Sequence, residues 1–432
     1  MVCSMAAQMM GQEVLTLDEA VNLALQRNRS IGKSVLEAKE YNDEIAAART
    51  KRWVKFQVSS TTGIMLMQPT LRFDRGAFGD YAGLGPIPAT STTVSSPRKL
   101  TAILSSEAAL PLTQQYRIGL GIRQLQLQQT AAWEQSRATR QTVAKQVRQA
   151  YYSILQSQSS LDAVEHTLAL LRELSSQTAK YVKTGSALEK DLLEVEARLA
   201  QQVYEQEALR GPLETQREQF NSLLGRPIDT PFRVAPAIEA SWVPDLAGAR
   251  DLAVERRPEL RQAKLKVEVA ELERKKKRSE FIPDVSLSVS YASAFNMSSA
   301  MPRNLAIAGF QTSFEPFDWG RKRSEVAQRE KQLEEARLEA REWEDKVRIE
   351  VGSAHRKMRE AGALLVASRA AQENAKETVR VTAARYRLDA SLVKDVLESQ
   401  SGLADANDRT QKAMLAYWSA RADFELAMGE EK

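Results

Sequence analysis

Val285-Ser286-Leu287-Ser288-Val289-Ser290-Tyr291 alternates apolar and hydroxyl side chains without a break. A period of two marks an extended strand with one apolar and one polar face. Phe310 and Phe314 alternate with Gln311 and Ser313 on a return strand. An earlier pair repeats the arrangement: Phe56, Val58, Ile64 and Leu66 share one face, as do Leu100, Ala102, Leu104, Ala108 and Leu110. The four strands, expected over 53–68, 98–112, 282–297 and 303–316, exceed the mean globular strand of about 5–6 residues. They reach the roughly 9–11 residues of a tilted strand that crosses a bilayer. Two readings fit this pattern: strand pairs of a membrane barrel, or a soluble four-stranded sheet packed on helices.

Outward from the strands the chain reads as long helices. Prolines are absent from 112 through 211 and from 317 to the end, so little interrupts a helix there. Leu161, Val164, Leu168, Leu171, Ser175, Thr178 and Val182 follow the 3–4 spacing of a coiled-coil seam. The same register returns 204 positions on, as Leu365, Ser368, Gln372, Ala375, Val379, Thr382 and Tyr386. That shift also aligns Glu173 with Glu377, Lys190-Asp191 with Lys394-Asp395, Phe220 with Phe424 and Gly225 with Gly429. A shift of 229 aligns Ala20 with Ala249, Leu23-Ala24 with Leu252-Ala253 and Arg27 with Arg256. The chain is therefore a duplication, and the difference of 25 positions falls in the Gly/Pro/Ser/Thr-rich loop of the first strand pair, Arg72 to Pro97.

The expected organisation is a tail over 1–14, a first repeat over 15–225, a Pro-rich connector over 226–245 and a second repeat over 246–429. Helices are expected at 16–52, 113–183 and 187–225 in the first copy, and at 246–281, 317–388 and 391–428 in the second. At about 1.5 Å per residue, helix 113–183 is on the order of 105 Å long, matched by the summed lengths of 187–225 and 246–281. One long helix thus runs antiparallel to two stacked shorter ones. Four strands cannot close a barrel, and open edges in lipid leave backbone groups unsatisfied at several kcal/mol each. Other chains must complete it, and three copies would give about 12 strands around a lumen.

Composition narrows the function. With only His166, His355 and Cys3, zinc sites, a disulfide framework and most histidine-based catalysis are excluded, and an enzyme is not expected. No cofactor and no metal site is expected. The 61 basic and 56 acidic residues, net +5, make a mixed surface rather than a nucleic-acid footprint. No apolar run approaches the 18 residues of a membrane helix. Residues 1–11 read as the end of a signal sequence with cleavage near Ala6-Ala7 or Gly11, and Met1-Val2 does not complete the usual motif before a lipidated Cys3.

Several segments in this order resemble the TolC-like outer-membrane efflux proteins, over nearly the whole chain. Leu15-Thr-Leu-Asp-Glu-Ala20 with Ala24-Leu-Gln-Arg-Asn28 resembles the family's N-terminal helix, and Ala253-Val-Glu-Arg-Arg-Pro-Glu-Leu260 its repeat. Glu315-Pro-Phe-Asp-Trp-Gly-Arg321 resembles the entry from a strand hairpin into the long helix. Tyr181-Val-Lys-Thr-Gly185 with Asp191-Leu-Leu-Glu194, and Tyr386-Arg-Leu-Asp389 with Asp395-Val-Leu-Glu398, resemble the two helix-turn-helix tips. Two positions depart from the family: Asp389 stands where glycine is usual, and Pro111-Leu-Thr-Gln-Gln115 replaces a Pro-Phe-Asp-like form.

The resemblance implies a mainly helical fold of long antiparallel coiled-coil helices forming an α-barrel, with four strands per chain in a 12-stranded trimeric β-barrel. It implies a homotrimer in the outer membrane of a Gram-negative type cell, extending into the periplasm and contacting outer-membrane lipid. Its partners would be a periplasmic adaptor and an inner-membrane pump of RND or ABC type, and its function a passive exit duct for efflux or type I secretion. A soluble periplasmic coiled-coil scaffold or adaptor is the alternative.

By the same resemblance Tyr386 and Asp395 match the periplasmic gate. Glu398, three residues on, shares a helix face with Asp395, and Asp191 and Glu194 occupy the equivalent place after the first tip. In a trimer Asp395 and Glu398 would make six carboxylates around the bore, concentrating cations. Thr184, Gly185, Ser186, Leu388, Asp389 and Ala390 form the tips that would meet the adaptor. Trp53 and Trp319, with Lys51, Arg52, Lys276, Lys277, Arg278, Arg321 and Arg323, stand where an aromatic belt and basic residues would meet a membrane interface.

Overall fold

The structure, a computed structural model, describes residues 13–64, 66, 70–95, 100–236, 245–296, 303–388 and 390–430. Cys3 and most of the expected tail, Asp389, residues 237–244 of the connector, and positions 65, 67–68, 98–99 and 297 of the expected strands lie outside these residues.

In chain order the elements are β1 (Glu13–Leu15), α1 (Leu17–Arg27), α2 (Arg29–Thr50), β2 (Lys55–Ile64), β3 (Thr70–Phe73), β4 (Asp80–Tyr81), β5 (Gly85–Pro86), β6 (Thr92–Ser95), β7 (Leu100–Pro111), α3 (Gln114–Lys183) and α4 (Glu189–Leu224). The second half adds β8 (Phe232–Val234), α5 (Leu246–Arg256), α6 (Pro258–Arg278), β9 (Asp284–Phe295), β10 (Asn304–Ser313), α7 (Arg321–Arg387) and α8 (Val393–Ala427). No helix among the described residues is long and apolar enough to cross a membrane.

The duplication is visible in backbone detail. Helices α1 and α5 each stop at one extended residue, Asn28 (ψ 130°) and Arg257 (ψ 121°), and a new helix starts immediately. Pro258 suits the first position of α6, where a missing N–H costs nothing. At the other break the Asn28 side-chain oxygen accepts the Ser30 N–H at 2.8 Å. Asn28 also donates to the Leu223 carbonyl at 2.7 Å, and Arg257 donates to that of Ala427, the equivalent position, at 3.4 Å. The breaks thus lock onto the ends of α4 and α8, the return helices, by different donors. Those ends turn on Gly225 (φ 72°) and Gly429 (φ 81°), left-handed residues that favour glycine. A Cβ on Gly225 would stand 2.3 Å from the Arg27 carbonyl oxygen, and one on Gly429 3.1 Å from Arg256 Cβ.

The chain divides into two compact units. One, residues 40–129 and 267–336, holds an antiparallel sheet in the order β10-β9-β7-β2. Its register aligns Phe56, Ala108, Val289 and Ala308 in one row, and Leu110, Leu287 and Phe310 in another on the same face. Gln57, Glu107, Ser290 and Ile307 form a row on the opposite face, polar in its first three positions. Phe56, Val58, Val289, Ile307 and Phe310 are all exposed. The loop between β2 and β7 is not structureless: β3 pairs with β6 and β4 with β5 in two short antiparallel ladders.

The other unit, residues 1–39, 130–266 and 337–432, is helical. Its largest core gathers Tyr151, Phe220, Phe232, Leu224 and Trp418 with the small residues Ala20 and Ala24 of α1. The connector contributes β8, which pairs in parallel with β1. The Tyr151 hydroxyl lies 2.7 Å from the Ala235 carbonyl and 3.1 Å from that of Leu15, holding the ends of both strands. Burial pushes its pKa up to about 12, so it stays a donor.

Candidate functional site: the helical tips and the strand-proximal helix ends

The two long helices α3 and α7, the outward helices, end in turns of one design. The Ser186 N–H donates to the Tyr181 carbonyl at 2.8 Å, and the Ala390 N–H donates to the Arg385 carbonyl, its repeat equivalent, at 2.9 Å. Gly185 closes the first turn with φ 74°. The return helices start alike. The Leu188 N–H donates to the Asp191 carboxylate at 3.2 Å, and the Leu392 N–H to that of Asp395 at 3.0 Å. Each aspartate supplies one half of a capping box; the leucine at the cap has no acceptor to supply the other.

The Ser391 hydroxyl also donates to Asp395, at 2.8 Å. The Leu392 N–H first, then the Ser391 hydroxyl, hold the Asp395 carboxyl below the usual carboxylate range. Asp395 therefore stays ionised at neutral pH. Glu398 and Glu194 are exposed, and Glu398 lies 3.5 Å from Lys394.

Tyr386 has a different setting. It is buried among Leu171, Leu174, Val195, Val393 and Val396, with its ring edge-on to Tyr181 at 6.0 Å. Its hydroxyl lies 3.1 Å from that of Thr178, joining the second outward helix to the first. One residue on, Arg387 donates to Glu173 at 3.1 Å. Neither Thr178 nor the Glu173–Arg387 pair was singled out as a site in the sequence, although Thr178 and Glu173 both stand on the repeat's matched positions. Thr382, the copy of Thr178, bonds within its own hairpin, to Ser399 at 2.8 Å. Thr184, Gly185, Ser186, Leu388 and Ala390 are exposed, and so are Leu188 and Leu392 beside them.

At the strand-proximal ends Trp53 and Trp319 are strongly exposed, 74% and 90%. Trp319 is left-handed (φ 55°) and rests edge-on against Phe317 at 4.7 Å. Asp318 receives the N–H groups of Gly320 and Lys322, which starts α7. Of the basic residues there, Lys277 is bound to Glu280 and Glu325, each at 2.8 Å, and Arg321 to Glu315 at 2.6 Å. Lys51, Arg52, Arg278 and Arg323 are exposed, and Lys276 is half-buried.

Residues 249–430 match the family model described as outer membrane efflux protein. The matched stretch lies in the second repeat and is similar to that family. The family is one of channel proteins of the outer membrane, not of enzymes. The fold of the whole chain is similar to that of solved outer-membrane channels. OprN is 19% identical at a TM-score of 0.74, over 96% of this chain and 89% of that one. A membrane protein from Pseudomonas aeruginosa is 19% identical at 0.76, over 96% and 90%. VceC of Vibrio cholerae is 15% identical at 0.71, over 96% of both chains. No curated protein sequence matches the chain. The matched residues take in most of α5, all of α6, α7 and α8, and both later strands.

Proposed function

We propose that the protein is the exit duct of a tripartite efflux or type I secretion system, conducting substrates passively from a periplasmic adaptor and inner-membrane pump to the exterior. The observation that carries this reading is the four-stranded sheet, with exposed apolar rows on one face and a more polar, mixed face opposite, and with β2 and β10 unpaired at its edges among the described residues. In lipid such edges need partners, and a homotrimer of 12 strands supplies them around a lumen. A soluble scaffold would leave Phe56, Val58, Val289 and Phe310 in water for no gain.

The tips are the gate in this reading. Tyr386–Thr178 and Arg387–Glu173 tie the two outward helices together, and three copies of Asp395 and Glu398 ring the bore and favour cations. Asp191 and Glu194 repeat the arrangement at the first tip. Leu188, Leu388 and Leu392, exposed beside Thr184, Gly185, Ser186 and Ala390, give the adaptor an apolar contact surface. Trp53 and Trp319 mark the interface level of the outer membrane. Detergent extraction followed by heated and unheated electrophoresis tests the assembly. A heat-sensitive trimer that conducts ions in a planar bilayer is expected, and a monomer soluble without detergent would overturn the reading.

A further inference from the structure

In the unit that holds the sheet, Arg117 makes two 2.9 Å bonds to Asp284, Lys277 binds Glu280 and Glu325, and Arg329 binds Glu273 at 2.8 Å. Three other arginines break this habit. Arg49 and Arg52 at the end of α2, and Arg123 on α3, line one groove of about 580 Å³ together with Trp53, and none of the three has a carboxylate partner among the described residues. The groove has an apolar base at Ile122, and Arg52 lies over Gly119, where a Cβ would stand 3.2 Å from its Nη2. Its missing side chain leaves room for the guanidinium.

We infer that Arg49, Arg52 and Arg123 form a site for the phosphate group of a phospholipid. Guanidinium forks bind phosphate oxygens in pairs, and three converging on one concavity suit a diffuse anion better than a single carboxylate. The location favours a lipid over free phosphate. Trp53 separates the groove from Val54, Phe56 and Val58, the first exposed apolar residues leading into and along β2. The groove thus stands at the end of the apolar sheet face, where headgroups meet water. The inference rests on that face lying in the bilayer.

The test counts phospholipid molecules retained by the detergent-solubilised full-length trimer, by native mass spectrometry with added phosphatidylglycerol. The triple variant Arg49→Gln, Arg52→Gln, Arg123→Gln should retain about tenfold less, and the matching Arg→Lys variant should recover only part, because lysine keeps the charge and loses the fork. Inorganic phosphate should not displace the lipid. Equal retention by wild type and the Gln variant overturns the site, as does full retention by the Lys variant. Phosphate binding without lipid retention overturns the lipid assignment. Loss of the trimer in the Gln variant with unchanged lipid in the remainder also overturns it, since the arginines would then serve a second copy. A wild type that needs no detergent overturns the membrane reading instead.

Discussion

The two repeats share a backbone and differ in what their side chains hold. Gly225 and Gly429 turn the same way, and the Tyr181–Ser186 closure returns as Arg385–Ala390. Tyr151 packs on Phe220 at 6.4 Å and its counterpart His355 on Phe424 at 5.6 Å. Yet the Tyr151 hydroxyl also meets the carbonyls of Leu15 and Ala235, at the ends of β1 and β8. At the tips, Thr178 is joined to Tyr386 of the other copy, whereas Thr382 stays within its own hairpin. Duplication preserved the positions where the backbone allows one solution, and left the polar side chains to connect the copies.

The glycines should break the equivalence most strongly. Gly225→Ala meets left-handed strain of about 1–3 kcal/mol and, against the Arg27 backbone, a further overpacking cost of about 1–3 kcal/mol. Gly429→Ala carries the strain with a milder contact. Thermal melts of the detergent-solubilised protein should therefore fall further for Gly225→Ala; equal losses would contradict the geometry.

Next in size is Tyr151→Phe, which removes the donor of the Ala235 carbonyl and should cost about 1–2 kcal/mol. The variant should also change the alkaline limb. Stability from burying neutral Tyr151 is fully present below the ordinary tyrosine pKa of about 10 and is lost as pH rises from there through about 12. A shallower decline in this window is expected for Tyr151→Phe, with the remainder due to Tyr152, whose pKa burial also raises.

Tyr386→Phe removes one buried bond and should cost about 1 kcal/mol, with Thr178→Val non-additive to it in a double-mutant cycle. Thr382→Val, at a partly exposed bond within one hairpin, should fall within about 0.5 kcal/mol. A larger loss at Thr382 than at Thr178 would reverse the roles given to the two copies.

The strands were legible because a face in contact with lipid or water imposes strict alternation, as at Val285 to Tyr291. The duplication was legible because Gly225, Gly429, Arg27 and Arg256 meet at backbone contacts that tolerate little else. Other features left weak traces. The helix break at Asn28 has no proline, unlike that before Pro258. The three-residue pairing of β1 with β8 depends on partners more than 200 positions apart, and a three-residue run carries little periodicity. Thr178, Glu173, Tyr386 and Arg387 each sit on a regular helix, and their meeting comes from packing between helices, which spacing within a helix does not encode. The leucines Leu188 and Leu392 resemble core residues in composition, and only their exposure marks them as surface.

Single-channel conductance in planar bilayers tests the central claim most directly. If Tyr386–Thr178 and Arg387–Glu173 hold the mouth of an outer-membrane channel narrow, the combined variant Tyr386→Phe, Arg387→Ala should form trimers that conduct several-fold more than wild type and keep its cation preference. Trimers of wild type and variant with the same conductance would contradict it.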